Sequence, residues 1–288
     1  MDTGSIVRTL ASASSRCLGI DFSGNFRMWS AGCSKGNVWI AEVECGVSRP
    51  GLVNLRRVQQ LSGDHNPFTR LVQYLRQFDF DAAAIDAPFS VPREHLRSRE
   101  HRELLEQVAK LELRAGRPFP SARDFVNCVL EGRAPATKKP LRQTEEYWQR
   151  QGVNVRSTLW AGPRGGAAMT GASLKLLHET GRPIWPWERT GRGLLIEAFP
   201  AAQLCQWGLL HQAYNRNTEK EAAARRSLVS SLAPRINLGN FREALEHCAD
   251  ALDSVICAFA AIAVITGRVL NYAEDSADAE GLIAVERD

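Results

Sequence analysis

Five acidic residues stand where acids are uncommon. Asp21 ends the apolar run Cys17-Leu18-Gly19-Ile20, Asp86 closes Ala82-Ala83-Ala84-Ile85, and Glu197 lies inside Gly193-Leu194-Leu195-Ile196-Glu197-Ala198-Phe199-Pro200. Asp250 and Asp253 are three residues apart, just before the 11-residue apolar run from Val255 to Ile265. On a helix this spacing puts both carboxylates and Cys257 on one stripe. A carboxylate withdrawn from water is costly unless it is paired, hydrogen-bonded or bound to a cation. Several that converge repel one another until they protonate or take up metal. Oxygen-only donors suit hard divalent cations such as Mg2+ or Mn2+. Acids on strand ends and one helix face thus outline a site for two ions, which would clamp the attacking and leaving oxygens of a phosphodiester. Each acid also has a purely structural use. Asp21 before Ser23-Gly24 and Asp86 before Pro88 can close Asx turns, Glu197 can pair with an arginine, and Asp250 and Asp253 can face solvent.

A second set of residues is basic. Residues 90–192 hold 19 Lys and Arg against 11 Asp and Glu, so this stretch carries +8 while the rest of the chain carries −4. A basic middle beside carboxylate-bearing ends suits a polyanionic partner. Arg97, Arg99, Arg102, Arg123, Lys138, Lys139 and Arg142 are its candidate phosphate contacts. Trp148, Trp160, Trp185 and Trp187 are candidates for base stacking or for ordinary packing. His247, one turn before Asp250, can assist proton transfer or lie on the helix surface. Gly162-Pro163-Arg164-Gly165-Gly166 lacks the Lys-Ser/Thr of a phosphate-binding P-loop and reads as a loop.

The elements that must position these residues follow from apolar spacing. Cys17–Phe22, Asn37–Val43 and Leu52–Val58 read as a meander of three strands. Pro67–Phe78 reads as a helix capped by Asn66. Asp81–Pro88 and Gly193–Pro200 read as buried parallel strands. Helical texture covers Leu96–Arg114, then about 201–210 and 218–232, and a long stretch from Phe241 to Val269; Gly281–Val285 reads as a further strand. The expected architecture is an α/β fold with a mixed sheet, three antiparallel strands continued by parallel ones and flanked by helices. The core is expected at 17–89 and 193–288, a helical basic inserted subdomain at 90–192, and a disordered tail at 1–16.

The same residues carry a resemblance. A strand Asp followed by two antiparallel strands, a second acid ending the fourth strand, and a late helix with Asp-x-x-Asp before small apolar residues resemble the ribonuclease H-like superfamily, its resolvase branch most of all. More narrowly, GIDFSG at 19–24, AIDAPFSVP at 84–92, IEAFPAAQL at 196–204 and ADALDSVICAFAA at 249–261 are similar to the family called domain of unknown function 429 (DUF429), itself predicted to be a nuclease of that superfamily. The resemblance extends from about residue 17 to 285. It implies that Asp21 bridges both metal ions, that Asp86 holds one, and that Asp250 and Asp253 supply the paired helix acids. Glu197 belongs to the narrower family's motif and departs from the superfamily pattern.

Length and composition bound the function. At 288 residues the chain is one large or two ordinary domains. With 44% hydrophobic and 24% charged residues it is neither fibrous nor disordered. The longest apolar run is well short of the ~20 residues of a spanning helix, and no signal-peptide pattern opens the chain, so no membrane contact is expected. Seven cysteines without a C-x-x-C pair fit reduced thiols and a cytoplasmic location. The leading expectation is a Mg2+- or Mn2+-dependent nuclease using two ions on DNA or RNA. The alternatives are an ATP-dependent phosphotransferase of the sugar-kinase and actin-like group, and a non-catalytic nucleic-acid-binding module.

Overall fold

The five apolar runs become the strands of one sheet in the computed structural model, which describes residues 14–288 apart from 47, 99 and 136 and the side chains of 274 and 275. β1 (Ser15–Asp21), β2 (Trp39–Cys45) and β3 (Gly51–Arg57) form the antiparallel meander. α1 (Pro67–Gln77) then returns the chain to β4 (Ala82–Asp86), parallel to β1. β5 (Leu194–Ala198) is parallel to β4, and the order across the sheet is β3-β2-β1-β4-β5. The mixed α/β sheet expected from the alternation is thus the one that forms. Asn66 caps α1 as expected, its side chain accepting from the Thr69 N–H at 3.0 Å.

Period-2 alternation sends successive residues of each strand to opposite faces. Leu18, Ile20, Ala83, Ile85 and Leu195 face one hydrophobic cluster, shared with α1 and with α2 (His101–Ala109), α3 (Ala122–Leu130) and α5 (Ala167–Thr180). The inserted segment 90–192 therefore packs into the same core as the sheet and supplies one of its covering layers. α4 (Gln143–Arg150) belongs to a smaller cluster with the C-terminal segment. On the other face Cys17, Ala41, Ala82, Ala84 and Ile196 meet α6 (Pro200–Gln206), α7 (Glu219–Leu232) and α9 (Ala249–Thr266).

Several boundaries differ from expectation. The helix expected over Leu96–Arg114 is only α2, because Pro92 and the bends after it delay its start and the chain turns at 110–111. The single helix expected over Phe241–Val269 is two, α8 (Arg242–His247) and α9, separated where Cys248 adopts extended backbone. Gly281–Val285 forms no strand; a lone bridge joins Val269 to Glu286 beyond α10 (Glu274–Glu280). Of the tail expected at 1–16, residues 1–13 lie outside the described residues, and Ser15 and Arg16 already belong to β1. α9 has the length and hydropathy of a membrane span, but 78% of it is buried inside the protein. Its all-round apolar surface is that of a helix enclosed by its own fold.

Candidate functional site

Asp21 and Asp86 are register partners at the C-terminal ends of β1 and β4. Adjacent strands lie about 4.8 Å apart, and residues paired in register point to the same face. That face is the one α9 covers. A Cβ built on Gly19 would fall 2.0 Å from the Ser254 carbonyl oxygen and 2.4 Å from the Ala258 nitrogen, so the backbones of β1 and α9 touch where only glycine fits. Asp21 lies two residues beyond that crossing on the same face. Asp253 precedes Ser254, and Asp250 lies one turn earlier, so both helix acids stand over the end of the sheet that carries the strand acids.

The electrostatics agree with that placement. Burial pushes the Asp21 carboxyl well above the usual carboxylate range, and Asp253, Asp86 and Asp250 push it further. Burial and then the Asp86 charge raise Asp253 well above that range, opposed by the hydrogen bond from the Tyr214 hydroxyl. Asp86 is pushed up to about 7 by burial, with Arg156 acting against the rise and the Glu197 charge, across the sheet, adding to it. Asp250 is raised by burial and held back by Arg57. Asp21 and Asp253 are buried, at 7% and 8% exposure, while Asp86 and Asp250 are half-buried. Four mutually repelling carboxylates therefore share one end of the molecule. Among the described residues no group of three or more His, Cys, Asp or Glu side chains is placed to hold a metal ion. The acids are neighbours in charge without forming a closed shell.

Glu197 does not join them. It pairs with Ile85 in register and points through the opposite face of the sheet. There it is 3% exposed, bonds the Arg142 guanidinium at 2.8 Å and accepts the Phe89 N–H at 2.9 Å. Arg142 is itself 1% exposed, shared with Glu145 at 2.9 Å. The catalytic candidate Glu197 and the phosphate-contact candidate Arg142 are thus partners in a buried ion pair, the arginine pairing that the sequence also allowed for Glu197, and Arg142 is withdrawn from the surface where a phosphate would meet it. A buried carboxylate needs compensation, and at Glu197 an arginine supplies it. Glu280 extends the network, accepting the Arg93 and Gln143 N–H groups at 2.7 and 2.8 Å. Of the other basic candidates, Arg97 is exposed and bound to Glu131, and Arg102 is exposed and paired with Glu106 in the next helical turn. Arg123, Lys138 and Lys139 are exposed, and Arg99 lies outside the described residues.

A family model described as a protein of unknown function (DUF429) matches residues 19–277. The chain belongs to the DUF429 family. The match contains all five acids singled out above. Comparisons with curated proteins and with solved structures find no match.

Four site residues of this DUF429 protein escape a reading of its sequence. Tyr214 is 3% exposed and donates its hydroxyl to Asp253 at 2.8 Å. Arg225 fixes the Tyr214 segment by donating to the Tyr214 and Arg216 carbonyls at 2.6 and 2.8 Å. Arg156 and Arg57 face Asp86 and Asp250 as opposing charges. Tyr214 and Arg156 lie on irregular backbone, where spacing carries no signal, and Arg57 and Arg225, at the end of β3 and inside α7, look like ordinary surface cations in the sequence. Cys257, on the expected stripe with Asp250 and Asp253, is indeed beside the acids, and burial followed by the Asp86 and Asp21 charges drives its thiol pKa up.

Proposed function

We propose that this protein hydrolyses a phosphodiester bond of nucleic acid in a Mg2+- or Mn2+-dependent reaction, on a ribonuclease H-like fold. One observation carries the reading: Asp21 and Asp86 stand side by side at the ends of neighbouring parallel strands, under a helix whose Asp253 and Asp250 add to the same negative field. The strand order, with the first three strands antiparallel and the last two parallel to β1, supports the superfamily assignment.

The donors are of the type that hard divalent ions take, and no three of them are placed to hold one as the described residues stand. They offer carboxylate oxygens, and they hold more buried negative charge than side-chain cations neutralise, since Arg156 and Arg57 approach only Asp86 and Asp250. Asp21, Asp86 and Asp253 would hold the ions, with Asp250 at the more open edge. Bound there, they would supply Lewis acidity and a water that loses its proton near neutral pH. Tyr214 orients Asp253 and leaves its second oxygen free. Arg156, exposed at the rim beside Asp86, is placed to meet a phosphate of the substrate backbone. Glu197 and Arg142 act at one remove: Glu197, held by Arg142, accepts the Phe89 N–H and so fixes the turn that follows Asp86. Water adds to phosphorus and an ester oxygen leaves, so the products are a phosphate-terminated and a hydroxyl-terminated strand.

The test is cleavage of labelled single-stranded, duplex, hybrid and branched substrates with Mg2+ or Mn2+, beside an Asp21→Asn, Asp253→Asn double variant. The parent is expected to cleave at least one substrate and the variant none. Equal residual cleavage by both would assign the activity to a contaminant and reject the reading.

A further inference from the structure

The cations of segment 90–192 differ in whether a carboxylate lies against them. Arg97, Arg102, Arg114, Arg133 and Arg150 each lie against a carboxylate. Lys138, Lys139, Arg156 and Arg164 are exposed and have no ion-pair partner among the described residues. Arg93, Lys110, Arg117, Arg123 and Arg182 likewise have no ion-pair partner among the described residues, but Lys138 and Lys139 differ from them in standing together at one aromatic side chain. The Lys138 and Lys139 ammonium groups stand 5.3 and 5.6 Å from the centre of the half-buried Trp160 ring, within reach of its negative face.

The loop around Trp160 is built to hold it. Its indole N–H donates to the Pro163 carbonyl at 3.3 Å. A Cβ on Gly162 would fall 2.3 Å from the ring, and one on Gly165 would fall 1.7 Å from the Trp160 carbonyl oxygen. The two glycines therefore let the loop close around this residue, which explains a motif that is not a P-loop. The Ala167 N–H bonds the Trp160 carbonyl at 3.4 Å, joining the loop to α5. The first turn of α5 touches Gly24, whose Cβ would lie 2.4 Å from the Met169 nitrogen. Gly24 is three residues past Asp21, and Arg156 faces Asp86. Trp160 and its cations consequently sit at the same end of the sheet as the acids.

We propose that Trp160 with Lys138, Lys139 and Arg164 is a stacking platform for single-stranded nucleic acid, leading past Arg156 toward the carboxylate site; its link to cleavage rests on the function proposed above. An indole face can stack only on a base with a free face, and within a duplex both faces are covered by neighbouring pairs. An arriving base takes the place of the lysine ammoniums over the ring, and these move to the adjoining phosphates.

The test reads binding alone, by anisotropy of a labelled 12-residue oligothymidylate in EDTA at low salt, beside a duplex of equal length. Single strands are expected to bind at least about tenfold tighter than the duplex. Trp160→Ala is expected to weaken single-strand binding about fivefold to a hundredfold, with Trp160→Phe close to the parent. Lys138→Gln with Lys139→Gln is expected to lower the slope of log K against log salt by about 1 to 2. Equal or tighter duplex binding, unchanged affinity in a folded Trp160→Ala protein, equal competition by polyglutamate, or no binding below about 100 μM would each overturn the platform. Cleavage is measured separately with Mn2+. Trp160-dependent binding without cleavage leaves the platform standing and removes the nuclease, and cleavage with Trp160-independent binding does the reverse.

Discussion

At the scale of single residues, the protein carries buried groups whose titrations oppose one another. Burial holds the His101 imidazole down at about 4, against about 6.5 for an exposed histidine, in spite of its bond to the Phe89 carbonyl. Its ring is also stacked on Trp187 at 3.6 Å. The native state refuses a proton that the unfolded chain binds, so this contribution is complete above about pH 6.5 and is lost as pH falls toward 4, by up to about 3 kcal/mol. Asp86 works in the other direction. Its native carboxyl is raised to about 7, so without metal the native state holds a proton that the unfolded chain has released, and stability falls as pH rises from about 4 to 7. Two variants separate the effects in denaturant titrations at pH 4.5 and 7. His101→Gln is expected to lose the stability gained on raising the pH, and Asp86→Asn to lose the stability forfeited over the same interval.

At the scale of elements, two contacts decide whether the candidate site exists. The first is the crossing of β1 and α9 at Gly19. Gly19→Ala forces a methyl into a backbone oxygen that cannot swing aside, and it is expected to destabilise by about 3 kcal/mol or more, measured by chemical denaturation. The second is the buried ion pair between Arg142, on the turn before α4, and Glu197 on β5. Removing one partner strands a buried charge, so Arg142→Met is expected to cost about 3–5 kcal/mol. Glu197 is the more instructive of the pair. In the sequence it looks like one more strand acid, and only its parity shows otherwise. Ala198, not Glu197, is the register partner of Asp86, so Glu197 faces away from Asp21. A one-residue offset between parallel strands separates a site acid from a structural one.

At the scale of the whole molecule, the acids make a charge imbalance that divalent ions would relieve. If the metal ions of the proposed nuclease bind the native state alone, Mn2+ at about 100 times its Kd adds about 2.7 kcal/mol, a rise of several degrees in Tm. Calorimetric melting is expected to show that rise in the parent protein and none in the Asp21→Asn, Asp253→Asn variant. In EDTA the same variant is expected to melt above the parent, because it relieves the burial cost and, after it, the repulsion that raise both carboxyls. A variant that melts lower in EDTA and still gains stability from Mn2+ would place metal binding elsewhere.

What the amino-acid order determined by itself was local and periodic. Alternation marked the strands, Asn66 and Pro67 marked the start of α1, and acids at the ends of apolar runs marked Asp21, Asp86, Asp250 and Asp253. Burial of apolar faces is strong enough to impose these patterns at short range. The tertiary structure alone decided which acids meet. It assigned Glu197 to Arg142, brought Tyr214 onto Asp253 from an irregular segment, and gathered unpaired cations around Trp160. Those outcomes depend on strand register, on the path of loops and on pairings 39 to 55 residues apart, for which no local periodicity leaves a trace.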